Sequence, residues 1–231
     1  MSTQHVLVTG ANRGLGLEFV RQYLADGATV TATVRDPAEA RELAELQTRV
    51  GERLTVEPLD LLDGDAIDAL AARLSDCAID VLIHNAGYMT RHDFGHSAWA
   101  DFETHFRINS YAPLRLAEAF ARQVAQSTER KFVTLSSLLG SVAANDSGGL
   151  YAYRASKAAA NAILKSLSID LRNRGITVLA LHPGWVRTRM GGANAPLDAP
   201  TSVAGLRQVI AKASLANSGD FLQWDGRTLP W

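Results

Sequence analysis

The sequence holds one cysteine, Cys77. An intrachain disulfide is therefore impossible, and a cysteine-based metal cluster is excluded. Neither sign of charge is in excess: 23 basic residues stand against 24 acidic ones, a formal net charge of −1. That balance removes the bulk attraction to nucleic acid or to an anionic membrane, while leaving room for a local basic pocket that takes one phosphate. No stretch approaches the roughly 20 apolar residues needed to span a bilayer. The first residues, MSTQHVLVTG, have no basic segment leading into a long apolar run, so they do not read as a signal peptide. Low-complexity runs, solenoid-type repeats and Pro/Ser/Gly-rich linkers are missing too. The expectation is a cytoplasmic protein of one domain, residues 1–231, with no metal, no nucleic-acid partner and no membrane partner.

What is present is an ordinary globular balance, 47% apolar and 20% charged, in a chain long enough to bury a sizeable core. Short β-branched runs alternate with longer helical patterns. The runs predict strands at 5–9, 28–34, 54–59, 79–84, 131–136 and 176–181, with a seventh at 220–223. Between them lie helical patterns, the first over 14–25 with Leu17, Val20, Tyr23 and Leu24 on one face. Asp36, Pro37 and Glu39 mark a helix start, with a cap, a first-turn proline and an acid three residues on; that helix runs to about Arg49. Others cover 63–75, 99–126, 152–174 and 202–213. Strand–helix alternation predicts an α/β fold: a doubly wound parallel sheet of about seven strands with helices on both faces, a Rossmann fold. Ligands on such sheets bind beyond the carboxyl ends of the strands, and each polar motif below follows a strand.

The first strand runs into Thr9-Gly10-Ala11-Asn12-Arg13-Gly14-Leu15-Gly16, and a helix follows. Glycines allow a tight turn and close approach of backbone N–H groups to a ligand. The helix N-terminus adds unpaired N–H groups and partial positive charge, a seat for a pyrophosphate. A ribose 2′-phosphate needs cations, whereas a free 2′-hydroxyl prefers an acid at the end of the second strand. Arg13 inside the glycine loop and Arg35 directly after the second strand favour NADP, with Asp36 read as the helix cap. Asp60, after the third strand, suits either a hydrogen bond from an adenine amino group or a turn cap. Asn85-Ala86-Gly87, after the fourth, lets the chain pass close to a cofactor.

Tyr153 and Lys157 are four residues apart at the start of a helical pattern and so share a face. A nearby ammonium favours the phenolate and is expected to lower the tyrosine pKa toward the range of a working acid/base. Ser137, sixteen residues earlier and just past the fifth strand, offers a hydroxyl to a substrate oxygen, with Ser136 as its rival. Asn109 lies inside a helical pattern although asparagine is a mediocre helix former; it suits a water bound beside Lys157 or a surface amide. After the sixth strand, Pro183 and Gly184 turn the chain, and Thr188 can hydrogen-bond a nicotinamide amide or a phosphate. His182 is assigned no chemistry.

The ordered set TGANRGLG, Asp60, HNAG, Asn109, SSLLG, YRASK and PGWVRT resembles the short-chain dehydrogenase/reductase family over nearly the whole chain. GSVAANDSGGLYAYRASKAAAN, HPGWVRTRMGG and WDGRTLPW look like the C-factor or sniffer-type carbonyl reductase subgroup. The resemblance implies a hydride transfer between NADP(H) and a small-molecule carbonyl or alcohol, with Ser137 orienting the substrate, Tyr153 donating the proton, Lys157 lowering its pKa and binding the nicotinamide ribose, and Asn109 holding a relay water. The cofactor set it implies is Gly10, Asn12, Arg13, Gly14, Leu15, Gly16, Arg35, Asp60, Leu61, Asn85, Ala86, Gly87, Tyr153, Lys157, Pro183, Gly184, Val186 and Thr188. It also implies a homodimer or homotetramer. His84 departs from the second asparagine of many relatives, and Asn145-Asp146-Ser147-Gly148-Gly149 reads as an insertion beside the substrate mouth. The C-factor likeness leaves a second reading, a non-catalytic NADP-binding regulatory or signalling protein.

Overall fold

The computed structural model describes residues 3–92 and 94–231; Met1 and Ser2, the head of the N-terminal stretch read above, lie outside them. Seven parallel strands form one sheet: β1 His5–Thr9, β2 Thr29–Val34, β3 Leu54–Pro58, β4 Val81–His84, β5 Lys131–Leu135, β6 Thr177–His182 and β7 Phe221–Gln223. Their order is β3-β2-β1-β4-β5-β6-β7. The β-branched runs VLV, TVTATV and VLIH are buried on both faces, as central strands of a covered parallel sheet must be.

The helices are α1 Gly14–Ala25, α2 Arg41–Val50, α3 Gly64–Arg73, α4 Trp99–Phe106, α5 Ala112–Ala125, α6 Tyr151–Asp170 and α7 Ala199–Lys212. They divide the core in two. Phe19, Val20, Leu43 and Leu206, from α1, α2 and α7, pack on one face against Val6, Val8, Ile83 and Leu181. Ile67, Leu116, Phe120 and Leu164, from α3, α5 and α6, pack on the other against Leu7, Leu82, Phe132 and Val178. The chain reverses its direction of travel across the sheet between β1 and β4, which opens a crevice at their carboxyl ends.

Several boundaries differ from the sequence expectation for physical reasons. Asp36 does cap, accepting from the Ala38 N–H at 2.9 Å, but what it starts is a separate 3₁₀ turn, Pro37–Glu39. Ala40, buried in the core, takes φ −93°, ψ 54° and interrupts the chain before α2. The expected helix over 99–126 is interrupted by a π turn, Arg107–Tyr111, between α4 and α5. Helix α6 ends at Asp170, and a 3₁₀ turn Arg172–Arg174 follows. Helix α7 starts earlier than expected, because Asp198 accepts from the Thr201 N–H at 2.8 Å and Pro200 sits in the first turn. Among the described residues no helix is long and apolar enough to cross a membrane.

Candidate active site

The floor of the crevice is a tie between two strand ends. The Asn85 amide donates to the Thr9 and Gly10 carbonyls at 2.9 and 3.0 Å, and the Ala86 N–H donates to the Thr9 hydroxyl at 3.2 Å. Gly10, at φ +63°, lies so close that a Cβ would stand 2.9 Å from Ala86 Cα. A Cβ on Gly16 would meet the Gly10 oxygen at 2.4 Å and the Asn85 amide nitrogen at 2.5 Å. These two glycines are therefore required by protein packing before any ligand is considered.

Gly14 is different. At φ +57°, its nearest neighbours are the Thr188 side-chain carbons, with Cγ2 at 3.5 Å from the position of a Cβ. The loop after β6 thus reaches across to the glycine turn. No side chain caps α1, so its first N–H groups remain available to an anion. Thr188 is fixed by accepting from the Gly191 N–H at 3.1 Å. Behind it, the Pro183 carbonyl accepts from the Ser202 hydroxyl at 2.6 Å, Gly184 (φ +84°) faces Leu197 and Trp224, and Val186 is buried. Asn12 and Leu15 are half-buried, whereas Arg13, Arg35 and Asp60 are exposed. Neither arginine forms an ion pair among the described residues. Asp60 does cap its turn, accepting from Leu62 N–H at 3.0 Å, and Leu61 packs on the core beside it.

Ser137, Tyr153, Lys157 and Asn109 are all buried and all at this carboxyl edge. The rivalry between the two serines is settled by their partners. Ser136 donates to the Asn161 side chain at 2.6 Å, whereas Ser137 caps the 3₁₀ turn Leu138–Gly140 and lies near enough to Tyr153 to act on its acidity. Lys157 Nζ lies 5.9 Å from the Tyr153 ring centroid and donates to the Leu135 carbonyl at 2.7 Å. Of its three N–H groups that is the only hydrogen bond found among the described residues. Gly87 borders it, since a Cβ there would be 3.9 Å from Nζ and 3.8 Å from the Met190 methyl.

The electrostatics run against the sequence expectation. Burial raises the Tyr153 pKa above its ordinary value, and the nearby Ser137 hydroxyl offsets that only in part. Burial also pushes the Lys157 ammonium down to about 8. The i, i+4 spacing establishes proximity but carries no information on dielectric. Both groups are removed from water, which shifts each toward its neutral form, although a lysine at about 8 still carries its charge at neutral pH. A phenol that keeps its proton at neutral pH is suited to act as an acid.

Asn109 sits in the π turn, where its side chain is committed to the protein. It accepts from Tyr88 N–H at 2.9 Å and donates to the Tyr88 carbonyl and the Ser156 hydroxyl, each at 2.9 Å. It thereby ties the loop after β4 to α6. His84, buried, is within hydrogen-bond distance (3.1 Å) of the Ile108 carbonyl in the same turn, so the end of β4 is fastened there despite the departure from asparagine. His182 is half-buried, with a buried and unpartnered Nδ1, and burial depresses its pKa to about 4; a strand-end structural residue fits it.

Sequence reasoning missed three residues. Ser156 joins Asn109 to the Tyr153 carbonyl through its hydroxyl, at 2.9 and 2.8 Å. Asn161, one helical step beyond Lys157, carries Ser136; the i+4 continuation of Tyr153 and Lys157 was the available signal. His105, fully buried on α4, stands edge-on to Tyr153 with ring centroids 6.4 Å apart, and a lone helical histidine gives no such signal. The 145–149 insertion is exposed and folds onto Arg154, which donates to the Gly148 carbonyl and the Ser147 hydroxyl. The aromatic tail packs on the fold: Trp231 stacks on Phe221, and its main-chain oxygen accepts from Ser141 Oγ at 2.8 Å.

The family model described as short chain dehydrogenase matches residues 4–197. C-signal of Myxococcus xanthus is 42% identical over 164 residues, covering 71% of this chain and 99% of that protein. Among solved structures, carbonyl reductase Sniffer of D. melanogaster is 35% identical with a TM-score of 0.93, each chain covered in full. The NADPH-bound carbonyl reductase from chicken fatty liver is 34% identical, also with a TM-score of 0.93 and full coverage of both chains. The chain belongs to the short chain dehydrogenase family.

Proposed function

We propose that this short chain dehydrogenase is an NADP-dependent oxidoreductase that reduces a small-molecule carbonyl to an alcohol, with Tyr153 as the proton donor. The observation that carries the reading is the convergence of Ser137, Tyr153 and a buried, under-bonded Lys157 beside an uncapped helix N-terminus. A bound dinucleotide fits that set. The first turn of α1 and Thr188 would hold its phosphates, and the free N–H groups of Lys157 would hold ribose hydroxyls. The exposed Arg13 and Arg35 would meet a 2′-phosphate, while the Asp36 carboxylate is already engaged with Ala38. When bound, the nicotinamide supplies the hydride that reduces the carbonyl carbon.

The protein's share is positioning and proton supply. Ser137 and Tyr153 direct their hydroxyls to one substrate oxygen. Tyr153 gives its proton to that oxygen as negative charge develops on it, and the phenolate left behind is stabilised by the Lys157 ammonium. Burial raises the Tyr153 pKa, so the resting site holds the proton that a reduction consumes. The same convergence argues against a purely regulatory NADP-binding protein, which would have no use for an aligned acid.

The reading extends to a single domain over residues 1–231, supported by one sheet that draws strands from both ends of the chain. It extends also to a cytoplasmic homodimer or homotetramer; Trp99 and Ile169 on α4 and α6 are 77% and 66% exposed, apolar surface that a second subunit would cover. Replacing Tyr153 with Phe tests the assignment: turnover should fall by roughly 10²–10⁴-fold, the usual worth of a general acid, with NADPH binding intact. Unchanged turnover would overturn it.

A further inference from the structure

One group in contact with the catalytic phenol takes no part in the chemistry above. His105 is completely buried, and each of its two ring nitrogens is within hydrogen-bond distance of a backbone group. The Thr90 N–H points at Nε2 from 3.2 Å. An amide N–H can only donate, so Nε2 presents its lone pair. The ring proton is then on Nδ1, where the Asp101 carbonyl of the preceding helical turn accepts it at 2.6 Å. The imidazole is thus held in one orientation by two backbone groups. The ring meets Tyr88 edge-on at 4.8 Å and 66°, and Tyr153 edge-on at 6.4 Å and 73°. Tyr88 is itself gripped through both its backbone groups by Asn109, four residues beyond His105. The segment 88–90 therefore hangs from one helix face at three points, and the acid of the site leans on the same support.

We propose that His105 is a positioning residue of the active site, a fixed spacer that sets the distance between the Tyr153 phenol and the 88–90 segment, a wall that continues from Gly87 at the side of Lys157. Its two functions separate by chemistry. The ring positions Tyr153, and so governs the step in which the proton moves. The Nε2 lone pair positions the wall, and so governs how substrate is held. This rests on the oxidoreductase reading, because only a site that donates a proton from Tyr153 would register the first function in kcat.

Two variants test it. His105→Gln places an amide oxygen near the Nε2 position and keeps an acceptor for Thr90, but it removes the ring from Tyr153. Its kcat should fall about tenfold, as expected for a modest misplacement of a catalytic group, with KM nearly unchanged. His105→Phe keeps a ring against Tyr153 and strands the Thr90 N–H. Its KM should rise about tenfold, the worth of one buried hydrogen bond, with kcat nearly unchanged. The assay follows NADPH oxidation with 1-phenyl-1,2-propanedione, and amide hydrogen exchange at Thr90 is measured alongside: protection is kept in the Gln variant and lost in the Phe variant. Equal losses of kcat and KM in both variants, or wild-type values in both, would overturn the proposal. A misfolded Phe variant leaves the Gln variant to decide through its kcat. The exchange measurement needs no turnover. A wild type that turns over nothing therefore counts against the oxidoreductase reading alone, while unchanged Thr90 exchange in His105→Phe counts against the spacer alone.

Discussion

Adding one methyl group at Gly140 should separate Ser137 from Tyr153, the proposed proton donor. Gly140 ends the 3₁₀ turn that Ser137 caps, and it faces the middle of α6. A Cβ there would stand 2.8 Å from Lys157 Cβ, 2.9 Å from its carbonyl carbon and 3.1 Å from its oxygen. Two of those three atoms are helix backbone, which cannot rotate aside. Ordinary contact begins near 3.4 Å, so the turn and the helix must part by about 0.6 Å. Helix α6 is held by α4, the π turn and the sheet, so the turn is the part that yields, and Ser137 goes with it. A displacement of that size takes the Ser137 hydroxyl out of line with the Tyr153 hydroxyl, so the two no longer meet on one substrate oxygen. The expected consequence of Gly140→Ala is a drop in kcat of roughly 10- to 100-fold, in line with the sensitivity of a preorganised site to sub-ångström and ångström errors. Overpacking of this kind costs about 1–3 kcal/mol, which for a chain of this size lowers Tm by about 2–12 °C. NADPH affinity should be spared, since the phosphate-facing elements are elsewhere. Steady-state kinetics, a thermal melt and a cofactor titration on the same preparation decide the matter. A variant with wild-type kcat and Tm would refute the claim that this glycine exists to let Lys157 and Ser137 approach.

Two other expectations follow from the site. Replacing Arg13 and Arg35 together with serine should weaken NADPH binding by roughly 10- to 100-fold, the worth of one or two charge-assisted hydrogen bonds, and leave NADH nearly untouched. Fluorescence titration measures both, and equal weakening of the two cofactors would remove the arginines from the 2′-phosphate. The buried Lys157 predicts a pH effect on stability. Its folded pKa is about 8 against an ordinary 10.5, so between those values the unfolded chain binds more protons and stability rises with pH. From pH 8 to 9.5, below the tyrosine range, the gain is on the order of 1.5 kcal/mol. Urea unfolding across that window should show the rise in the cofactor-free protein and its absence in Lys157→Met; a flat wild-type profile would count against a desolvated ammonium.

The sheet was legible because a parallel strand buried on both faces has to be a run of apolar, β-branched residues, and VLV and VLIH are hard to read otherwise. The cofactor turn was legible because Gly10 and Gly16 sit where β1 and β4 press together, a demand no other residue type meets. The serine, tyrosine and lysine were legible as a pattern of spacing. What spacing could not convey was surroundings: the Lys157 ammonium was expected to lower the Tyr153 pKa, and burial reverses the sign of that shift. The π turn was not legible, because an i→i+5 hydrogen bond has no residue code; an asparagine inside a helical stretch was its one trace. His105 was hidden for a similar reason. Its importance lies in what crosses over to meet it from Thr90 and Tyr153, and neither is a neighbour in sequence.

The widened turn at 107–111 has a consequence for how this chain tolerates change in length. It places one more residue than an α-helical turn would, resetting the angular phase of everything after it by about a hundred degrees. Before and within it, His105 and Asn109 look toward α6; downstream, Leu116 and Phe120 look into the core between the sheet and α3. Deleting a single residue there would leave a straighter, more regular rod, and that rod could satisfy one audience only: with Phe120 seated in the interior, Asn109 would swing away from Tyr88, and with Asn109 in place, Phe120 would turn toward water.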